Sequence, residues 1–282
     1  MTKLILIEGI PGSGKTTLAL RLEKYLNENS FASKCILEGD PHPADLAWCG
    51  VLNQEEFQNI LTEYPEYKNQ LENFVIYENG KFIIPYLALK PYNKNLVGYL
   101  EEREPYSGKL SSEDFLSLNA GRWGTFAGNA VTGDKVYIFE CAFLQNHLNE
   151  LLLYHEPAYE YILDYFKRLS QVFASLDPAI IYLDQVDNDK TLKRAAEERI
   201  SDDASMPNWI DRVIDYINGS PYGTSHSLEG YEGTLEYFKF RVGIEHRLLK
   251  DLSMKTFIIR NEDYQWDDIF TGIIRFINPL LI

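Results

Sequence analysis

Apolar and polar positions along the chain follow two rhythms. Lys3-Leu4-Ile5-Leu6-Ile7-Glu8 is a short, almost uninterrupted aliphatic run, and similar runs recur at Lys34 to Glu38, Val136 to Glu140, Ala179 to Leu183 and Lys255 to Arg260. Runs this short and this uniformly apolar predict strands buried on both faces, as in a parallel sheet covered by helices. Between them the spacing turns helical: Leu18, Leu22, Tyr25 and Leu26 after the first run, then Glu55 to Leu71, Ser111 to Phe126, Pro207 to Ile217 and Leu235 to Leu252. Ser111 or Ser112 is the expected N-cap of its helix. The pattern predicts an α/β fold with a five-stranded parallel sheet flanked by helices.

Two stretches break the alternation. Residues 41 to 135 separate the second and third strands by far more than the usual connection of about 4–6 residues, so this segment needs structure of its own. Within it, Phe74 to Ile84 reads as a β-hairpin turning on Asn79-Gly80. No linker-like tract marks its edges, so 41–135 is expected to be a helical and β-hairpin insertion within a single domain of 1–282. The second stretch, Asn218 to Gly233, carries Gly219, Gly223, Gly230 and Gly233 among serines. It reads either as a mobile loop near the functional end of the sheet or as a solvated surface connection.

Composition narrows the classes. The 282 residues are 45% apolar and 13% aromatic, enough for a sizeable core, and the net charge is −15 at pH 7. That balance argues against a general grip on nucleic acid or an anionic membrane. No run approaches the roughly 20 apolar residues of a membrane span, and the first apolar run is too short for a signal-peptide core. Cys35, Cys49 and Cys141 make neither a CxxC pair nor an even framework, and the five histidines show no metal-binding spacing. A cytoplasmic protein with reduced thiols is expected.

The chemistry enters with Gly9-Ile10-Pro11-Gly12-Ser13-Gly14-Lys15-Thr16-Thr17, which fits GxxxxGK[ST] at every fixed position and lies between a strand and a helix. Glycines let backbone N–H groups turn around phosphate oxygens, and the helix N-terminus adds partial positive charge. Lys15 is expected to reach the β- and γ-phosphates of ATP and Thr16 to place its hydroxyl on Mg²⁺. Pro11 stiffens the loop. In parallel sheets ligands bind at the carboxyl ends of strands, which makes Glu38, Asp40, Glu140, Asp184, Arg260 and Asn261 the polar candidates. A strand-end carboxylate without a partner is costly, so Glu140 reads as the acidic residue holding a magnesium-bound water. Asp184 reads as a cap of the helix that follows. Asp40 is the expected group beside the acceptor hydroxyl, with Glu38 as the alternative.

These residues resemble the thymidylate kinase and deoxynucleoside kinase branch of the P-loop kinases. The likeness rests on the glycine loop, on Asp177-Pro178-Ala179-Ile180-Ile181-Tyr182-Leu183-Asp184 and the basic helix after it, and on the closing unit from Lys255 to Ile277. It covers 1 to 40 and 118 to 282 and implies a P-loop kinase fold with a lid-like region at 185–235. In that lid Arg194 and Arg199 would close over the transferring phosphate, and Asn261 to Asp263 would flank adenine. The resemblance further implies that Arg122 contacts the acceptor, that Asp40-Pro41 faces it, and that the chain forms a homodimer. One departure matters: the family usually has arginine directly after the acidic residue of the third strand, and here Cys141-Ala142 follow Glu140.

Residues 41 to 135 hold eight basic and thirteen acidic residues with fourteen aromatics, and their arginines are Arg103 and Arg122 alone. A phosphorylated acceptor would call for an arginine cluster. The expected activity is therefore transfer of the ATP γ-phosphate to a hydroxyl of a small neutral or cationic molecule, stacked on aromatics such as Trp48 or Trp123. The alternatives are a nucleoside or nucleoside monophosphate kinase and an ATPase switch acting on a protein partner.

Overall fold

A computed structural model describes residues 1–78, 80–201, 207–261 and 264–281. Its elements are β1 (Leu4–Glu8), α1 (Lys15–Glu28), β2 (Ser33–Ile36), β3 (Cys49–Leu52), α2 (Gln54–Glu63), α3 (Lys68–Phe74), β4 (Ile76–Glu78), β5 (Lys81–Pro85), α4 (Lys94–Glu101), α5 (Ser112–Ala130) and β6 (Val136–Glu140). Then come α6 (Gln145–Glu150), α7 (Tyr159–Val172), β7 (Ala179–Asp184), α8 (Asn188–Glu198), α9 (Trp209–Asn218), α10 (Pro221–Ser225), α11 (Gly230–Asp251), β8 (Lys255–Arg260) and α12 (Trp266–Ile277).

Five strands form one parallel sheet in the order β2-β6-β1-β7-β8. Every side chain of β1 is buried because the strand is central and covered twice. Its alternation sorts the core: Leu4 and Leu6 join Phe139, Ile180 and Tyr182 on the face covered by α5, α7 and α11. Ile5 and Ile7 join Ile138, Ile181 and Leu183 on the face covered by α1 and α12. Full burial of each such aliphatic side chain contributes roughly 1.5–3 kcal/mol. The chain runs from β1 past β6 to the sheet edge and later returns to β7 on the other side, so the crevice at the carboxyl end of β1 is the topological switch point.

Residues between β2 and β6 build a second, antiparallel sheet in the order β3-β5-β4, packed with α2, α3 and α4 around Leu52, Phe57, Ile60, Leu71, Ile84 and Leu96. The hairpin of the sequence pattern is β4 and β5, although Asn79 lies outside the described residues. Where one helix was expected over Glu55 to Leu71 there are two, because Pro65 opens a 3₁₀ turn between α2 and α3. Ser111 caps α5, accepting from the Asp114 N–H at 3.1 Å.

Three expectations change. The second strand ends at Ile36 rather than Glu38, because Gly39 has φ +90° and residues 37–40 form a turn. Asn218 to Gly233 is largely helical, comprising α10 and the start of α11, with Ser220 as N-cap and Pro221 at the first helical position. The tract is thus regular where an irregular one was expected, and most of Pro221 to Gly230 is exposed. Trp123 is fully buried among Phe126, Phe139, Phe143 and Phe173, so it is core and offers no stacking surface, whereas Trp48 is 42% exposed. Cys49 and Cys141 are buried, Cys35 is half-buried, and all three are free. No helix among the described residues is long and apolar enough to cross a membrane.

Candidate functional site

The loop from Gly9 to Gly14 joins central β1 to α1 and faces the crevice. Gly12 (φ +82°) and Gly14 (φ +94°) hold left-handed backbones. A Cβ on Gly12 would lie 2.8 Å from the Thr191 carbonyl oxygen, and one on Gly14 would lie 2.6 Å from the Trp266 ring, so neither position accepts a side chain. The loop is also tied from outside. Asn261 donates through Nδ2 to the Ser13 carbonyl at 2.7 Å, and Tyr264 donates through its hydroxyl to the Gly12 carbonyl at 2.7 Å. Arg194 on α8 donates to the same Gly12 carbonyl, and its guanidinium lies 3.4 Å from the Tyr264 ring centre.

Lys15 and Thr16 open α1. The buried Lys15 ammonium turns back to donate to the carbonyls of Gly9 and Ile10 at 3.0 and 2.9 Å. Thr16 donates its hydroxyl to Oε1 of Glu140 at 2.7 Å, joining the first turn of α1 to the end of the neighbouring strand β6. Oε2 of Glu140 accepts from the Glu38 N–H at 3.4 Å. Gln145 donates its amide to Oε1 of Glu38 at 3.0 Å. Glu38, Glu140 and Cys141 each bring one potential ligand atom within 4.8 Å of the others. Ser13 Oγ is buried in the loop without a partner.

The loop therefore gathers Gly9, Pro11, Gly12, Ser13, Gly14, Lys15 and Thr16, with Glu38, Glu140, Arg194 and Asn261 around them. Thr17 is exposed on α1. The remaining candidates have partners of their own. Asp40 accepts from the Leu37 N–H at 3.0 Å through Oδ2 and so closes its own turn. Arg122 is buried between Glu78, at 2.8 Å, and the His42 carbonyl, at 2.9 Å, which uses both ends of its fork. Arg199 is exposed at the end of α8, 4.8 Å from the Trp209 ring centre. Asp184 does not cap α8: it pairs with His246 Nε2 at 3.0 Å, and Asp187 is the cap, accepting from the Lys190 N–H at 2.9 Å. Glu262 and Asp263 lie outside the described residues.

In the sequence Glu8 reads only as the end of a strand. It is fully buried, and its carboxyl accepts from the N–H groups of Phe143, Leu144 and Gln145 at 2.8, 3.0 and 3.3 Å. Burial pushes its pKa up to about 7 against the pull of those donors. The folded state thus holds a proton that the unfolded chain releases from about pH 4.5 upward, so this group's stabilisation is present at low pH and is lost as pH rises through 7. Glu8→Gln is expected to gain on the order of 3 kcal/mol relative to wild type between pH 5 and pH 8. Urea unfolding at the two pH values checks this, and a constant gap would refute it. His42 and His147 have the opposite sense: burial lowers each to about 3, and their contribution is lost as pH falls from about 6.5.

No protein-family model matches the chain, and no curated protein matches its sequence.

Proposed function

We propose that the chain is an ATP-dependent P-loop phosphotransferase that moves a phosphoryl group to the hydroxyl of a small neutral or cationic molecule. The observation that carries the reading is the tie between Thr16 and Glu140 at the foot of a glycine loop on the central strand, with Lys15 folded into that loop. The sheet order β2-β6-β1-β7-β8 supports it by opening the crevice beside this loop. The residues fit a magnesium nucleotide: the glycine loop runs straight into the first turn of α1, which carries Lys15 and Thr16, and Ser13 Oγ is a buried hydroxyl lacking a partner.

When bound, Mg²⁺ would spread the charge that develops on the phosphates during transfer. Thr16 and Glu140 are the residues to hold it. Lys15 leaves the Gly9 and Ile10 carbonyls for the phosphates, and Arg194 adds positive charge from α8. Glu38 stands beside Glu140 with a carboxylate oxygen free of its own turn, so it takes the proton of the acceptor hydroxyl in preference to Asp40. Arg122 has both ends of its fork engaged by Glu78 and His42, which favours an acceptor that carries no phosphate.

The test is ADP release from ATP against nucleosides, nucleoside monophosphates, sugars and polyamino sugars. Stimulation of at least about tenfold by a sugar or polyamine is expected. Preference for a nucleoside or its monophosphate would move the acceptor to that class, and turnover that responds only to a protein partner would overturn phosphotransfer to a small molecule.

A further inference from the structure

Sulfur stands beside the acidic pair. Cys141 follows Glu140 with a left-handed backbone (φ 62°) and is fully buried. Among the described residues no hydrogen bond holds its thiol, and its sulfur lies within 4.8 Å of carboxylate oxygens of both Glu38 and Glu140. Gln145 points independently to a guest. It is 6% exposed, its amide N–H stands on Glu38, and its Oε1 is buried with no partner. An unpaired buried amide oxygen is costly unless something binds there.

We propose that Glu38, Glu140 and Cys141 hold a thiophilic divalent cation of the zinc class, and that its binding excludes the magnesium nucleotide. Mg²⁺ prefers a shell of oxygens, whereas a thiolate beside carboxylates selects Zn²⁺ or Cd²⁺. Tetrahedral Zn²⁺, with bonds of roughly 2.0–2.3 Å, spaces its donors by about 3.5 Å, so small rotamer adjustments close the site. Binding breaks the Cys141 S–H bond, forms a sulfur–metal bond and passes one proton to solvent; nothing is oxidised or reduced. Exclusion follows because Glu140, drawn toward sulfur, leaves the Thr16 hydroxyl. The cation site stands on the geometry alone, while the exclusion rests on the phosphotransferase reading.

The test titrates the full chain with Cd²⁺ and follows the ultraviolet sulfur-to-cadmium charge-transfer band, with Zn²⁺ binding measured by calorimetry. One Cd²⁺ per chain is expected, with the band lost in Cys141→Ser and kept in Cys35→Ser and Cys49→Ser. Affinity should fall at least about tenfold in Glu140→Gln and in the surface variant Glu38→Gln, which reports on the site even if Cys141→Ser fails to fold. A wild-type chain without a saturable band, a band that survives in folded Cys141→Ser, or unchanged affinity in both carboxylate variants would overturn the site. Displacement of Cd²⁺ by magnesium-ATP supports the exclusion. Cadmium bound through Cys141 but indifferent to magnesium-ATP would overturn the exclusion and count against the phosphotransferase reading, leaving the cation site in place.

Discussion

Lys15→Ala is expected to lower phosphoryl transfer by about 10²–10³-fold while the chain stays folded. The Lys15 ammonium is the buried cation of the glycine loop, held in reserve on the carbonyls of Gly9 and Ile10. Charge that develops on the transferring phosphoryl group needs donors already in place, and removal of one such donor costs about this much. The substitution leaves the buried carbonyls of Gly9 and Ile10 without that donor, so a modest fall in the thermal midpoint is expected beside the kinetic loss. Steady-state kinetics with a melting curve of the same preparation decides the matter. Normal turnover in a folded variant would remove the loop from the chemistry.

The second large effect separates Glu38 from Asp40. Glu38→Gln should lower kcat by about 10²-fold or more, as loss of acid–base assistance does. Asp40→Asn should cost about threefold at most, because the Asp40 carboxylate serves its own turn through the Leu37 N–H. Single-turnover transfer to the best acceptor, with ATP affinity measured separately, reads this difference. The reverse pattern would restore Asp40 as the group beside the acceptor.

The reassignment proposed for that pair turns on where β2 ends. β6 and β8 lie within the bounds that their apolar runs predict, and β1 and β7 differ by one residue. A strand buried on both faces writes its limits in side-chain type. Its end is less legible: Leu37 and Glu38 look extended until Gly39 takes a positive φ, and that choice is made by the turn and not by the run. The four residues of β3, the three of β4 and the eight of α4 fall below what periodicity resolves, so the second sheet is visible in the sequence only as a hairpin. α10 did leave a signal in Ser220-Pro221, a capping residue before proline, which the neighbouring glycines obscured.

The candidate site divides in the same way. Contiguous residues of the glycine loop were readable because their spacing is itself the chemistry. Glu8, Gln145 and Tyr264 act through partners more than a hundred residues away, and no local pattern marks such contacts. Arg122 shows the converse. The resemblance implied an acceptor contact for it, and in the fold its two terminal nitrogens pair with Glu78 on β4 and with the His42 carbonyl.

β2 is an edge strand paired with β6, and the long segment between them leaves and rejoins the sheet on adjacent strands. Part of that segment packs around an apolar cluster of its own. Substitutions in that cluster should therefore combine almost additively with substitutions in the sheet, as distant and independent sites do. The segment thus has two ends of different tolerance: the part around its own cluster can be altered with the strand registers beneath the glycine loop left in place, whereas α5, which covers the sheet, cannot.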